Sequence, residues 1–162
     1  MTATPQTRFE AEGFVLRPWE PRDAASMSEA VVDSYEHLCP WLDWASRDQD
    51  EAASAAVIDR FTAEWRAQTD FVLGIVSPDD GSALGGTGFH LRNMPLGDQA
   101  EIGMWIRADR AGTGLGTAAL RAMLEWAFTG WGWRRIIWRC DLHNNGSRRV
   151  AEKCGMRLEG QF

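Results

Sequence analysis

The stretch from Glu101 to Phe128, EIGMWIRADRAGTGLGTAALRAMLEWAF, carries the residues best suited to chemistry in this 162-residue chain. A strand pattern runs into the glycines Gly112, Gly114 and Gly116, and a helical stripe of Leu120, Met123, Leu124, Ala127 and Phe128 follows. Such a junction attracts anions. The first helical turn has N–H groups without intrahelical partners and the positive end of the helix dipole, and glycines let a phosphate approach the main chain closely. The candidate phosphate site is therefore Gly112, Thr113, Gly114, Leu115, Gly116 and Thr117, with Arg110 and Ala111 leading into it.

The glycine spacing narrows the choice of anion. A nucleoside-triphosphate loop would place Lys and then Ser or Thr after the last glycine, where this chain has Thr117 and Ala118. A dinucleotide fold would set its turn at the start of a βαβ unit, with an acidic residue about twenty positions on. Here several strand-like segments come first and Asp141 is too distant. What remains is a diphosphate held late in the domain.

The net charge of −6 is unevenly placed: residues 1–100 carry 7 Lys+Arg against 17 Asp+Glu, and residues 101–162 carry 10 against 6. A polyphosphate ligand favours the second part, through Arg107, Arg110, Arg148 or Arg149, and a cationic amine favours the first. This balance argues against nucleic acid as a partner. Cys39, Cys140 and Cys154 have neither zinc nor redox-pair spacing and are expected to be free thiols, with no metal bound. No leader pattern or membrane-length apolar run is present, so a soluble, cytoplasmic protein is expected, with no membrane partner.

The elements that must position the glycine turn are legible in order. Residues 1–8 are expected to be a flexible tail, with a single domain over 9–162. Phe14–Arg17 reads as a strand, Asp23 as an N-cap, and Ala24, Met27, Val31, Tyr35 and Leu38 as one face of a helix stopping before Pro40. Trp41 and Trp44, in the loop beyond, are expected as a wall of an acceptor pocket. Asp48 or Asp50 starts a helix with Val57, Ile58, Phe61 and Trp65 on its buried face. Phe71–Val76 and Ala83–Leu91 form a hairpin, residues 92–98 a loop, and Arg135–Cys140 a strand before a last helix at about Ser147–Lys153. The order β, α, α, β, β, β, α, β, α predicts a mixed α/β sheet, antiparallel early with a late βαβ crossover. Gly103 suggests a bulge or close backbone approach that would free main-chain groups of Met104, Trp105 and Ile106 for an amide-bearing ligand.

The segment HNNGSRRVAEKCGMRLEG makes a family recognisable. Asn144, Ser147, Lys153, Gly155 and Glu159-Gly160 resemble the N-x-x-S…K-x-G-F-x-x-E-G signature of RimJ/RimL-type GNAT N-acetyltransferases, a group that includes ribosomal-protein N-terminal acetyltransferases. Val15-Leu16-Arg17-Pro18, Asp23-Ala24 and Glu101-Ile-Gly-Met-Trp-Ile106 fall where that group has similar residues, and the glycine turn resembles its R/Q-x-x-G-x-G/A motif. The Arg/Gln position falls on Ala111, with Arg110 one residue early, and a Tyr common in relatives is Ala151 here. The chain also stops at Phe162, where relatives continue into a further strand, so a C-terminal strand is expected to be missing and a homodimer across that edge possible.

The resemblance implies acetyl-CoA as co-substrate, with its diphosphate on the turn amides, Asn144 bonded to the pantetheine arm and Ser147 near the sulfur as acid for the departing thiolate. Glu101, on the strand entering the site, is expected both to bind the amine and to act as base, with His90 and His143 as alternatives. At pH 7 an α-amine is neutral roughly one time in seven and a lysine roughly once in 2,500, a gap of about 3.5 kcal/mol. The absence of an obvious strong base therefore favours a protein N-terminus as acceptor over lysine. A small amine, such as an antibiotic, polyamine or amino acid, is the alternative acceptor, and a binding module without turnover the alternative role.

Overall fold

The computed structural model describes residues 6–91 and 97–161. The tail expected over 1–8 and the loop expected over 92–98 therefore lie largely outside the described residues. Apolar runs make the centre of the sheet. Strands β1 (Phe9–Ala11), β2 (Phe14–Pro18), β3 (Asp70–Val76), β4 (Ala83–His90), β5 (Gln99–Ile106) and β6 (Arg135–Ile137) line up in chain order. The first four pairings are antiparallel and β5/β6 is parallel. A parallel pair needs a crossover, and α4 (Leu115–Trp126) makes it. This is the mixed α/β arrangement that the element order predicts.

Each sheet face buries a separate apolar cluster. One joins Leu16, Leu73, Ile75, Phe89 and Ile102 to Leu120, Met123 and Trp126 of α4. The other joins Val15 and Val76 to Met27 and Ala30 of α1 (Ala24–Asp33) and Ile58 of α3 (Glu51–Ala67). Asp50 caps α3 by accepting from Ala53 N at 2.7 Å, and Val57, Phe61 and Trp65 are partly buried beside Ile58.

Several elements differ from expectation, each for a tertiary reason. β1 is a strand the sequence pattern did not show; Gly13 at φ +84° lets it turn back onto β2. Asp23 makes no cap for α1. It is buried and accepts instead from Arg17 Nη1 and Nη2, at 2.7 and 2.9 Å, and from Glu20 N at 2.8 Å. The single helix expected to Leu38 breaks at Ser34, and α2 (Tyr35–Leu38) resumes after it. The buried Ser34 hydroxyl accepts from Ala108 N at 2.9 Å, tying the break to the chain leaving β5.

No bulge occurs at Gly103, where the β4/β5 register is continuous; the irregularity lies between Ile75 and Val76 of β3. β6 is also half its expected length and pairs β5 only as far as Glu101. Beyond that point the two strands separate, and this separation opens the sheet. The last helix, α5 (Asn145–Lys153), begins earlier than expected, with Asn144 Oδ1 accepting from Ser147 N at 3.1 Å. Among the described residues β6 has no neighbour on its outer edge.

Candidate active site

Where β5 and β6 part, a cleft of about 370 Å³ runs between β5, the start of α4, α5 and α2. Hydrogen-bond alternation decides which backbone groups of β5 face it. Arg107 N donates to Leu84 O at 2.9 Å, so in an antiparallel pair the odd-numbered residues of β5 point their main chain at β4. Met104 and Ile106 therefore present N–H and C=O groups to the open edge. Trp105 does not, since its carbonyl is turned toward Gly85. This corrects the expectation that all three would be available, although all three residues line the cleft.

At the other end of the cleft the chain enters α4 through left-handed conformations at Gly112, φ +73°, and Gly114, φ +89°. No side chain caps α4 and its first turn holds no acidic residue. Within the helix, Ala118 N is the first to bond back, to Gly114 O at 3.0 Å, so the N–H groups of Leu115, Gly116 and Thr117 have no helical acceptor. Arg110, Ala111, Gly112, Gly114, Gly116 and Thr117 line the cleft. Thr113 does not, because its hydroxyl donates back to Arg110 O at 2.6 Å. Leu115 packs into the core instead.

Helix α5 supplies the third wall. Gly146, Arg149, Val150 and Lys153 recur at helical spacing along one face and line the cleft with Asn144 and Ser147. Ser147 Oγ accepts from Trp138 Nε1 at 2.9 Å, which leaves the hydroxyl proton to donate elsewhere. Of the four expected phosphate arginines, only Arg110 and Arg149 reach the cleft. Arg107 pairs with Glu29, Asp33 and Asp109, at 3.8, 3.7 and 3.1 Å, and Arg148 turns to Glu152 at 2.8 Å.

The strand separation and the uncapped glycine entry to α4 together suit an anionic ligand with an amide-bearing arm, and residues 14–157 match the family described as the acetyltransferase (GNAT) domain. The chain belongs to the GNAT acetyltransferases. It is an N-acetyltransferase of the RimJ/RimL type. It is 29% identical over 152 residues to YdaF of Bacillus subtilis (strain 168), assigned in its name as a ribosomal N-acetyltransferase, covering 93% of this chain and 81% of YdaF. It also resembles Mycobacterium smegmatis RimJ, solved with a CoA-disulfide, at 30% identity and TM-score 0.80 over 91% of this chain and 71% of that one. The ribosomal-protein-S5-alanine acetyltransferase of Vibrio fischeri, at 18% identity and TM-score 0.84 over 96% and 85%, shares the fold.

Of the residues of this GNAT enzyme expected to meet the amine, only Trp41 is in the cleft lining; Trp44 and Glu101 lie outside it, as does His90. Trp41 lines the cleft, and Trp44, half exposed, meets Trp105 edge-on with ring centroids 5.9 Å apart. Glu101 stands directly across from His90 on β4 and holds Arg139 Nη1 at 2.8 Å. His143 is exposed and lies at Asp141, outside the cleft lining. His37, Trp138 and Lys153 were not expected in the cleft. Lys153 was visible as a motif residue, and its spacing from Arg149 was the signal for its role.

No cysteine lines the cleft among the described residues, and all three are free thiols. Burial pushes the Cys154 thiol up, with Arg121 only partly offsetting it, which makes it a poor nucleophile. Among the described residues no cluster could hold a metal ion, and no helix is long and apolar enough to cross a membrane.

Proposed function

We propose that this enzyme takes its acetyl group from acetyl-CoA and moves it to the N-terminal α-amine of a protein, by direct attack in a ternary complex. The observation that carries this is one continuous cleft with an anion-binding helix start at one end and an unpaired strand edge at the other. The diphosphate is assigned to the amides from Gly112 to Thr117, with Arg110, Arg149 and Lys153 alongside. The pantetheine arm then pairs with the main chain of Met104 and Ile106 like an added strand. Asn144 bonds the arm through its side-chain amide while its oxygen caps α5.

The thioester would lie between β5 and Ser147. An N–H at the open edge, that of Met104 or Ile106, polarises the carbonyl, and the Ser147 hydroxyl donates its proton to the departing thiolate. Glu101 draws in the cationic amine, and Trp41 and Trp44 pack on the residues behind it. Because no cysteine lines the cleft, no acyl-enzyme is needed. The name of YdaF, a ribosomal N-acetyltransferase, supports a ribosomal-protein acceptor, and such an acceptor would place the enzyme in the cytoplasm.

The test is thiol release from acetyl-CoA against three sets of acceptors: peptides with free N-termini, N-blocked peptides with lysines, and small amines. Release confined to the first set is the expected result. Turnover on small amines alone would change the acceptor class. Coenzyme binding with no release on any amine would leave only a binding module, consistent with Ala111 and Ala151 replacing family residues.

A further inference from the structure

The sheet face around Glu101 holds a feature that the coenzyme site does not use. Gly88 faces Gly103 across β4 and β5, and Gly86 faces Trp105, and each of the three glycines costs its strand stability. Two rings lie on the floor they leave. A Cβ built at Gly86 would collide with the Trp105 indole, and one at Gly103 would stand 2.9 Å from His90 Nε2; at Gly88 the β3 backbone is closest, Phe71 O at 2.9 Å, with His90 Cε1 at 3.4 Å. The imidazole is thus laid back along the sheet, with Nε2 over the residue that precedes Met104. Its other nitrogen is held: His90 Nδ1 is 2.9 Å from Oδ2 of Asp70, the cross-strand partner of His90 on β3. Asp70 is buried, and its Oδ1 accepts from Leu91 N at 3.2 Å.

A carboxylate at Nδ1 fixes the proton on that nitrogen and leaves the lone pair on Nε2. We propose that His90, oriented by Asp70, is the base that takes the proton from the acceptor ammonium; this rests on the transferase reading given above. Among the described residues, the charged groups facing the ring are Asp70 on β3 and Glu101 on β5, with Arg139 paired to Glu101. Glu101 serves less well as base. Moving a proton from an α-ammonium to an ordinary carboxylate is unfavourable by a factor of roughly 3,000, and to an ordinary imidazole by roughly 20.

The step balances simply. The ammonium gives one proton to Nε2, directly or through one water. The neutral nitrogen attacks the thioester carbon and the C–N bond forms. As the C–S bond breaks, the thiolate takes a proton from Ser147, and the second proton lost by the nitrogen restores the Ser147 hydroxyl, directly or through water. The His90 side chain, 23% exposed, returns its proton to solvent. Asp70 acts through His90 and is a positioning residue.

The experiment compares wild type, His90→Gln and Gly103→Ala with acetyl-CoA and an N-terminal peptide, measuring kcat/KM at pH 7 and at pH 9.5, with coenzyme affinity and melting temperature as controls. The expected result for His90→Gln is unchanged coenzyme affinity and a loss of about 100-fold in kcat/KM at pH 7. That loss shrinks to less than about 5-fold at pH 9.5, where the α-amine is already neutral. Gly103→Ala, whose methyl displaces the ring, should follow the same pattern. A loss equal at both pH values, or a His90→Gln enzyme within twofold of wild type, would overturn the assignment and leave the transferase standing. A wild type that releases no thiol with any amine would remove both.

Discussion

Replacing Gly116 by Ala separates fold from ligand at a single atom. Gly112 and Gly114 need their left-handed backbone, but Gly116 does not, since it is absent from the positive-φ glycines. A Cβ built there stands 3.6 Å from Ile106 Cγ1 and 3.7 Å from Val150 Cγ2, both ordinary contacts. The protein itself thus accepts the methyl, and a glycine removed from a helix contributes about 0.5–1 kcal/mol. For a domain of this size that is a rise of about 1–4 °C in melting temperature. The same methyl sits on the lining where the diphosphate is assigned. Loss of one charge-assisted hydrogen bond costs about 1.5–3 kcal/mol, or roughly 10- to 100-fold in coenzyme A affinity. Gly114→Ala is the companion: at φ +89° it is destabilised by about 1–2 kcal/mol, with affinity falling as well. Calorimetric titration and thermal melts read both quantities. A Gly116→Ala protein that is more stable and binds coenzyme A as wild type does would refute the placement of the anion.

Three further outcomes are expected. Ser147→Ala should lower kcat by about 100-fold with coenzyme affinity within twofold of wild type, measured by single-turnover thiol release and titration. Gln68, the only non-glycine at positive φ among the described residues, ends α3 at φ 55°, so Gln68→Gly should stabilise by about 1 kcal/mol in urea unfolding. Burial pushes the Asp23 carboxyl up, but the Arg17 guanidinium and the Glu20 N–H outweigh it and hold it below the usual carboxylate range. A lowered folded pKa means that this contribution is complete above about pH 4, the unfolded value, and is lost as pH falls through the folded value. Asp23→Asn should therefore cost about 3 kcal/mol at pH 7 and progressively less in acid melts.

How much of this was legible in the sequence follows from how local each feature is. The glycine turn, α4 and the Asn144 and Ser147 pair are set by residues a few positions apart, so spacing exposed them. The cleft wall from α2 was hidden, because the break at Ser34 is held by an amide 74 residues away, that of Ala108. The sheet opening was assigned to Gly103, but it comes from the short pairing of β6, which ends at Ile137 and frees Trp138 to reach Ser147. The choice of Arg110 over Arg107 likewise depended on Glu29 and Asp33 of α1 lying beside Arg107 in space. The glycines of β4 carried no signal in the sequence, and their use became visible only with the Trp105 and His90 rings lying beside them.

The central claim is that main-chain amides at the head of α4 hold the coenzyme diphosphate. Amide NMR shifts during titration with coenzyme A test it most directly. The account predicts large, saturating shifts at Gly112, Gly114, Leu115, Gly116 and Thr117, together with Met104 and Ile106 on the open strand edge. Shifts confined to the outer groove between β6 and α5, around Ala151 and Glu152, with the glycine turn unmoved, would contradict it.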